Sequence, residues 1–222
     1  MTVQPLTIIF DVNETLSDLS TVGDAFERVG AGPGSSDAWF ATVLRDGFAL
    51  TASGSDARFA ELAANSARQV LGGLQLTTSL DEAVDIVLDA FASVSLHADV
   101  APALQSLRGA GHRLLTLSNG PTSTAERLLQ SADALHHMDS LLTVEGHSLW
   151  KPARDSYRSA LSRARVAGRA YLVAVHPWDI HGAARAGLST VWVNRRGATY
   201  PSHFTQPDIT VRTLEALAER LA

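Results

Sequence analysis

Short runs of aliphatic and β-branched residues recur along the chain and are separated by segments in which apolar positions repeat with helical spacing. Continuous apolarity is typical of strands that are buried on both faces of a sheet. We therefore predict strands over residues 6–10, 113–117, 141–144, 170–175 and 190–193, and helices over 101–109, 123–131, 154–167 and 180–186. This alternation predicts an α/β fold with a doubly wound, mostly parallel sheet.

The alternation is interrupted after the first strand. From residue 17 to residue 93 the pattern predicts only helices, over 22–29, 36–51, 56–71 and 80–92. An insertion of this size is expected to fold as a helical cap, which gives a core domain of residues 1–16 and 94–222 and a cap domain of residues 17–93. Ligands of open α/β sheets bind beyond the carboxyl ends of the strands, so the site is expected there.

The composition narrows the classes of function. The 222 residues carry a formal net charge of −5, which provides no basic surface for nucleic acid or anionic lipid. The chain has no cysteine, so it has no disulfide, no thiolate nucleophile and no cysteine metal site. The apolar run at residues 6–10 ends at Asp11 and is too short to span a membrane. We expect a cytoplasmic protein without nucleic-acid or membrane partners.

Polar residues that follow or precede the predicted elements suggest a single site. Asp11 directly follows the first strand, and Ser118 and Asn119 end the second. Lys151 precedes a predicted helix, and Asp179 follows the fourth strand. A lysine beside two carboxylates would keep them ionised by Coulomb attraction. An ionised carboxylate that is oriented by the amides of a turn can act as a nucleophile.

The segments that contain these residues form a recognisable series. They read FDVNETL at 10–16, LTLSNG at 115–120, WKP at 150–152 and VAVHPWDI at 173–180. In this order they resemble the four motifs of the haloacid dehalogenase superfamily, and most closely those of its 2-haloacid dehalogenase subgroup. The resemblance extends over nearly the whole chain, includes the position of the cap, and implies the Rossmann-like core of that superfamily.

The resemblance implies catalytic roles by position. Asp11 matches the nucleophile of the first motif, and Thr15 matches the hydroxyl that steadies it. Lys151 matches the cation of the third motif, and Asp179 matches the carboxylate of the fourth. The subgroup usually has an asparagine at the position of His176, which is either a base that activates water or a structural hydrogen-bond donor.

Further positions are implied to contact the substrate. Ser118 matches a hydroxyl that holds the nucleophile or the substrate carboxylate, and Asn119 matches an amide near the leaving halide. Tyr157 stands where the subgroup often has a tyrosine, and Trp178 is expected in the pocket wall. The subgroup usually has Tyr and then Gly in the first motif, where this chain has Asn13 and Glu14.

The cap departs from the subgroup at one position. The arginine that cradles the halide normally follows a tryptophan, and this chain has Phe40 after Trp39. We expect Phe40 to line the pocket. Arg45, about one and a half helical turns further on, could replace the arginine only if the helix is rotated or shifted.

Most members of the superfamily are phosphatases, and two departures argue against that activity. Family phosphatases place an acidic residue two positions after the nucleophile, where this chain has Asn13, and an amide cannot act as a general acid. They also use a carboxylate for Mg²⁺ at the position of Ala174. We therefore predict a site without metal or cofactor. The adjacent His136 and His137 are not expected to bind a metal either, because neighbouring side chains on a helix point apart.

The predicted reaction is SN2 attack by Asp11 on the halogen-bearing carbon of a short 2-haloacid. A halide leaves as a stable anion and needs no proton. The resulting ester would be hydrolysed by water near Asp179. The alternatives are a Mg²⁺-dependent phosphatase acting on a small phosphate ester and a non-catalytic binder of small anions. The expected partner is a small anionic organic substrate, and dimers are common in the superfamily, so a homodimer is a candidate assembly.

Overall fold

The structure, a computed structural model, describes residues 5–147 and 149–221. This part of the chain divides into two compact units. The first unit consists of two segments of the chain, the residues up to Ser17 and those from Leu96 onward. The second unit is Asp18–Ser95. The predicted cap, residues 17–93, begins one residue before the second unit and ends two residues before its end.

The first unit is built on a six-stranded parallel sheet with the order β5-β4-β1-β6-β7-β8. In chain order the strands are β1 (Thr7–Phe10), β2 (Ser17–Asp18), β3 (Ser95–Leu96), β4 (Arg113–Ser118), β5 (Ser140–Thr143), β6 (Ala170–Ala174), β7 (Ser189–Val193) and β8 (Ile209–Val211). The short strands β2 and β3 form a separate two-stranded sheet. The predicted α/β class with a parallel sheet is confirmed.

Helices alternate with the strands of the first unit, and the second unit is helical. In chain order the helices are α1 (Ser20–Arg28), α2 (Ser35–Ala52), α3 (Phe59–Leu71), α4 (Leu80–Ala92), α5 (Val100–Gly109), α6 (Thr122–Ser131), α7 (Arg154–Arg163), α8 (Pro177–Ala186) and α9 (Leu214–Leu221). Helices α1 to α4 lie in the second unit.

The register of the sheet brings three strand ends to one edge. Strand β1 lies between β4 and β6, with Phe10 opposite Thr116 on one side and Val173 on the other. Ile8, Ile9 and Phe10 are buried, as expected for a strand with both faces covered. The polar residues that follow these apolar strands therefore converge at the carboxyl edge.

The second unit has an aromatic core centred on Trp39. Its indole Nε1 donates a hydrogen bond to the carbonyl of Ala63 at 2.9 Å, which satisfies the polar atom of a fully buried side chain. The rings of Phe26, Phe40 and Phe91 lie around it at centroid distances between 5.3 and 6.2 Å.

Several predicted boundaries differ from the structure. Helix α8 begins three residues before the predicted start at residue 180, because Pro177 supplies a favourable first helical position. Helix α7 ends four residues before the predicted end at residue 167, and Arg165 beyond it has a left-handed backbone with φ 50°. The three-residue strand β8 and the helix α9 were not predicted. The short strand β2 lies within the range predicted to hold only helices.

The prediction that His136 and His137 point apart is wrong. They belong to a 3₁₀ turn, Leu135–His137, and their ring centroids lie 4.0 Å apart. The tighter winding of this turn replaces the α-helical geometry on which the prediction relied. Within residues 5–147 and 149–221, no three His, Asp or Glu side chains are grouped so as to hold a metal ion.

None of the helices within the described ranges combines the length and the apolarity needed to cross a bilayer.

Candidate active site

Asp11 lies at the carboxyl edge of the sheet, immediately after β1. Its backbone N–H donates to the carbonyl of Val173 at 3.0 Å, which ties the residue to β6. Its Oδ2 accepts a hydrogen bond from Thr15 Oγ1 at 2.7 Å, and Thr15 Oγ1 accepts one from the N–H of Val175 at 3.1 Å. The hydroxyl that orients the carboxylate is therefore itself fixed by the main chain beyond β6. The side chain of Asp11 is only 7% exposed.

Lys151 bridges the two buried carboxylates of the site. Its Nζ donates to Asp11 Oδ1 at 2.8 Å and to Asp179 Oδ2 at 2.6 Å. The lysine side chain is 1% exposed, so these ion pairs replace solvent around a buried charge. The centroid of the Trp178 ring lies 5.8 Å from Nζ, within the range of a cation–π contact. The three charged groups together carry one net negative charge.

Asp179 is held by a second donor besides the lysine. It lies in the first turn of α8, where the helix dipole favours a carboxylate. The Tyr157 hydroxyl donates to Asp179 Oδ1 at 2.6 Å, and both residues are fully buried. Each oxygen of Asp179 thus accepts from a different side chain, which fixes the plane of the carboxylate.

Ser118 is the last residue of β4 and Asn119 follows it, and both bind main-chain groups around the site. The Oδ1 of Asn119 accepts from the N–H of Lys151 at 2.9 Å, and its Nδ2 donates to the Lys151 carbonyl at 3.3 Å. Ser118 Oγ accepts from the N–H of Gly120 at 3.0 Å. The structure thus assigns Asn119 a contact with the lysine main chain that the motif resemblance did not state. Its role toward the halide stays a prediction.

The buried charges stabilise one another. Burial by itself raises the pKa of Asp11, but attraction to Lys151 and His176, together with the hydrogen bonds from Lys151 and Thr15, holds that pKa below its usual value. Burial lowers the pKa of Lys151, and the two carboxylates more than offset this, so its pKa is raised. Asp11 is therefore ionised and Lys151 is protonated at neutral pH.

The pKa of Asp179 is shifted in the opposite direction from that of Asp11. Burial raises the pKa of Asp179, and the negative charge of Asp11 adds to that rise, against the opposing effect of Lys151 and Tyr157. Burial and the neighbouring Asp179 also raise the pKa of Tyr157 well above its usual value, so the phenol stays a donor. Of the two carboxylates, Asp179 is the better proton acceptor.

His176 lies beside the nucleophile. Its Nε2 is 3.2 Å from the carbonyl of Asn13 and 3.7 Å from Asp11 Oδ2. A carbonyl only accepts hydrogen bonds, so this Nε2 carries a hydrogen and is not free to act as a base at that atom. The ring stacks on Trp178, with the centroids 5.1 Å apart and the planes inclined by 18°. This geometry favours a donor role for His176.

The turn after Asp11 is anchored by two further residues, Arg195 and Asp99, which the sequence analysis did not select. Arg195 donates through Nη2 to the carbonyl of Thr15 at 2.9 Å and through Nη1 to both oxygens of Asp99 at 2.9 Å. Asp99 in turn accepts from the N–H of Leu214, at the start of α9. Arg195 follows β7 closely, so the strand-end signal that selected the other polar residues could have selected it too.

The predicted cap residues lie in the second unit. Phe40 is buried next to Trp39. Arg45 is 59% exposed, and its guanidinium donates to Asp46 at 2.8 Å and to Gln69 at 3.3 Å. These contacts engage Arg45 within its own unit. Contact of Phe40 or Arg45 with a substrate stays a prediction.

The residues of the site do not fit a Mg²⁺ ion. The positions at which family phosphatases carry additional acidic residues hold Asn13 and the buried Ala174, and neither supplies a carboxylate. The ammonium of Lys151 lies within hydrogen-bond distance of both Asp11 and Asp179, the carboxylates that a divalent ion would need.

The sequence and the fold of the chain are similar to those of known proteins. The family model described as haloacid dehalogenase-like hydrolase matches residues 6–187. Haloacetate dehalogenase H-2 of Moraxella sp. (strain B) is 27% identical, over 97% of this chain and 97% of its own. An (S)-2-haloacid dehalogenase of Pseudomonas putida is 27% identical over 96% of this chain and 95% of its own. A crystal structure of a dehalogenase aligns with a TM-score of 0.91 at 26% identity, over 100% of this chain and 99% of that one.

Proposed function

Because the chain belongs to the haloacid dehalogenase-like hydrolases, we propose that it hydrolyses the carbon–halide bond of a short 2-haloacid. The membership confirms the family resemblance of the four motifs. The observation that carries the proposal is the buried carboxylate of Asp11, held ionised by Lys151 at 2.8 Å and oriented by Thr15 at 2.7 Å. The names of the similar proteins, haloacetate dehalogenase and (S)-2-haloacid dehalogenase, support the substrate class.

The first step forms a covalent ester. An oxygen of Asp11 attacks C2 of the haloacid, the carbon–halogen bond breaks, and its electron pair leaves on the halide. The carbon inverts once. Holding the carboxylate against this carbon makes the attack effectively intramolecular, which is worth about 7 to 11 kcal/mol of the barrier. Lys151 and Thr15 keep the nucleophile ionised and aimed, and Ser118 is proposed to bind the substrate carboxylate.

The second step regenerates the enzyme. Water attacks Cγ of the esterified Asp11, the bond from Cγ to the substrate oxygen breaks, and that oxygen takes up a proton, so the products are the 2-hydroxy acid, the free carboxylate of Asp11 and one proton released to solvent. One proton of the water must be removed. We assign it to Asp179, because its pKa is raised and because Nε2 of His176 already carries a hydrogen. Since this step does not touch C2, the single inversion of the first step persists in the product.

The configuration of the product at C2 directly tests the proposed mechanism, because a single inversion is expected. Chloroacetate and (S)-2-chloropropionate are the proposed test substrates, and the second should yield the (R)-2-hydroxy acid. A small anionic substrate as partner, a homodimeric assembly and a cytoplasmic location remain proposals from the sequence.

The experiment combines halide release with an isotope test. Purified protein is incubated with each haloacid, free chloride is measured, and Asp11→Asn serves as the inactive control. A single turnover in ¹⁸O-labelled water should place the label in the carboxylate of Asp11, because water attacks Cγ. Chloride release with the ¹⁸O label found only in the 2-hydroxy acid would contradict an ester intermediate on Asp11. Turnover of a phosphate ester with Mg²⁺, without any chloride release, would instead favour the phosphatase.

A further inference from the structure

Glu14 has a backbone conformation that favours glycine. Its φ is 61°, and the other non-glycine residues with positive φ in the described part of the chain are Asp133 at 51° and Arg165 at 50°. A side chain in this left-handed region costs folding free energy that a glycine avoids. Asp133 and Arg165 are exposed just beyond the ends of α6 and α7, whereas Glu14 lies in the turn that carries the nucleophile.

The main chain of Glu14 is fixed independently of its side chain. Its N–H donates to Ser17 Oγ at 3.1 Å, and its carbonyl lies 3.1 Å from Nε2 of His97. Any residue at this position can make both contacts. A glycine would therefore keep the turn and remove only the carboxylate, which makes the side chain of Glu14 a candidate for a role in the site.

The side chain reaches toward the nucleophile. Its Oε2 lies 3.6 Å from Nε2 of His176, and its Oε1 lies 3.6 Å from Nη2 of Arg196. The same Nε2 is 3.7 Å from Asp11 Oδ2. The imidazole thus lies between two carboxylates, and one of its faces stacks on Trp178.

We propose that Glu14 is a positioning residue that holds the imidazole of His176 beside Asp11 during the 2-haloacid reaction. This inference rests on the proposed function. The stack on Trp178 limits the tilt of the ring. The carboxylate of Glu14 and the carbonyl of Asn13 both attract the Nε2–H edge, which restricts movement of the ring within its own plane. The contribution of His176 to the low pKa of Asp11 depends on this placement.

The first test separates stability from activity. Glu14→Gly should raise Tm by about 2 to 4 °C, because the glycine removes the backbone strain at this position. Chloride release from chloroacetate should fall by about tenfold, the loss expected when one charge contact in the site is removed. Asp133→Gly and Arg165→Gly are the matched controls, and they should raise Tm with unchanged chloride release. Chloride release within twofold of the wild type in Glu14→Gly would overturn the proposal.

The second test asks whether Glu14 acts through His176. Glu14→Gln keeps the size and the backbone strain and removes the charge, and His176→Asn removes the imidazole. If the proposal holds, Glu14→Gln slows ester formation in the wild-type background and has no further effect in His176→Asn. Equal losses in both backgrounds would mean that Glu14 acts by another route.

A third measurement does not depend on the reaction. In ¹⁵N-histidine-labelled protein, the ring signals of His176 are assigned by their loss in His176→Asn. Glu14→Gln should shift or broaden these signals, whereas unchanged signals would overturn the positioning role. If the wild type releases no halide from any haloacid, the proposed function fails, and this spectrum still decides whether Glu14 positions the ring.

Discussion

Asn119 binds Lys151 through both polar groups of the lysine main chain. The amide Oδ1 accepts from the N–H at 2.9 Å, and Nδ2 donates to the carbonyl at 3.3 Å. Asn119 follows β4, whereas Lys151 lies in the connection after β5, so this contact joins two loops at the carboxyl edge of the sheet. It fixes the main chain from which the lysine side chain extends to Asp11.

The first prediction concerns this contact. Asn119→Asp preserves the shape but replaces the donor that faces the Lys151 carbonyl by an acceptor. We expect the free energy of unfolding to fall by about 1 to 3 kcal/mol, because a buried carbonyl loses its partner. We also expect ester formation to slow by about tenfold or more, since the lysine is displaced from Asp11. Urea unfolding and single-turnover kinetics measure the two effects.

A matched control exists in the same unit. Asn194 makes the same pair of bonds with Ala198, at 2.8 and 3.0 Å, in an exposed loop. Asn194→Asp should lower stability by less and leave ester formation unchanged. An equal loss of ester formation in the two variants would show that the effect of Asn119 is not specific to the lysine.

The second prediction concerns the protonation of Asp11. Because its pKa is lowered, Asp11 is already ionised at every pH at or above the usual pKa of a carboxyl group. The rate of ester formation should therefore stay constant as pH falls from about 9 to about 5. Lys151→Met removes the main attraction, and burial then raises the pKa of Asp11. The acid limb of the residual activity should move to higher pH. Superimposable pH profiles for the two proteins would contradict this origin of the ionisation.

Lys151 can also be observed directly, because it is the one lysine in the sequence. With ¹⁵N-labelled lysine, the Nζ signal should still report the protonated form at pH values near the ordinary lysine pKa of 10.5. The raised pKa means that its stabilisation of the fold is complete below 10.5 and is lost as pH rises through the higher folded value. In Asp11→Asn the signal should titrate at lower pH than in the wild type. Titration at the same pH would contradict the coupling.

The third prediction separates the two chemical steps. Asp179→Asn removes the proposed proton acceptor while Asp11 keeps its contact with Lys151. Ester formation should continue, and hydrolysis should slow by about two to four decades, as is typical for loss of a general base. Mass spectrometry of quenched protein should then find the adduct on Asp11 accumulated. Loss of the first chloride burst, without an adduct, would assign Asp179 to the first step instead.

The sequence predicted the part of the site that depends on strand order. Asp11, Ser118 and Asn119 were selected because they end buried strands, and a parallel sheet brings those ends together whatever the details of packing. The motif resemblance implied that Lys151 belongs to the same site, and the attraction of its charge to the two carboxylates was expected once it lies beside them. These features follow from local patterns with strong physical constraints.

Other features depend on contacts that a linear pattern does not encode. The amide of Asn119 could face solvent, a halide or a main chain, and only the packed loops assign it to Lys151. The left-handed backbone of Glu14 departs from the usual preference for glycine and is visible only in three dimensions. Strand β8 has three residues, too few for an alternating pattern to be recognised.

The last prediction concerns the anchor behind the nucleophile turn. The planar guanidinium of Arg195 binds both oxygens of Asp99 and the carbonyl of Thr15, which a lysine ammonium cannot reproduce. Arg195→Lys should therefore lower chloride release by about tenfold through a looser Thr15, mostly in kcat, because Arg195 is not among the residues proposed to contact the substrate.

The surface pair of Arg108 and Asp139 offers the comparison for Arg195→Lys. Arg108 also binds both carboxylate oxygens, at 2.9 and 2.7 Å, and Asp139 also accepts from a main-chain N–H, that of Leu114. These hydrogen bonds join α5, β4 and the residue before β5, and none of them involves the turn that carries Asp11. Arg108→Lys should thus lower stability slightly and leave kcat unchanged. If both variants lowered kcat in proportion to their loss of stability, Arg195 would only support the fold; a loss of kcat confined to Arg195→Lys identifies it as a positioning residue for Thr15.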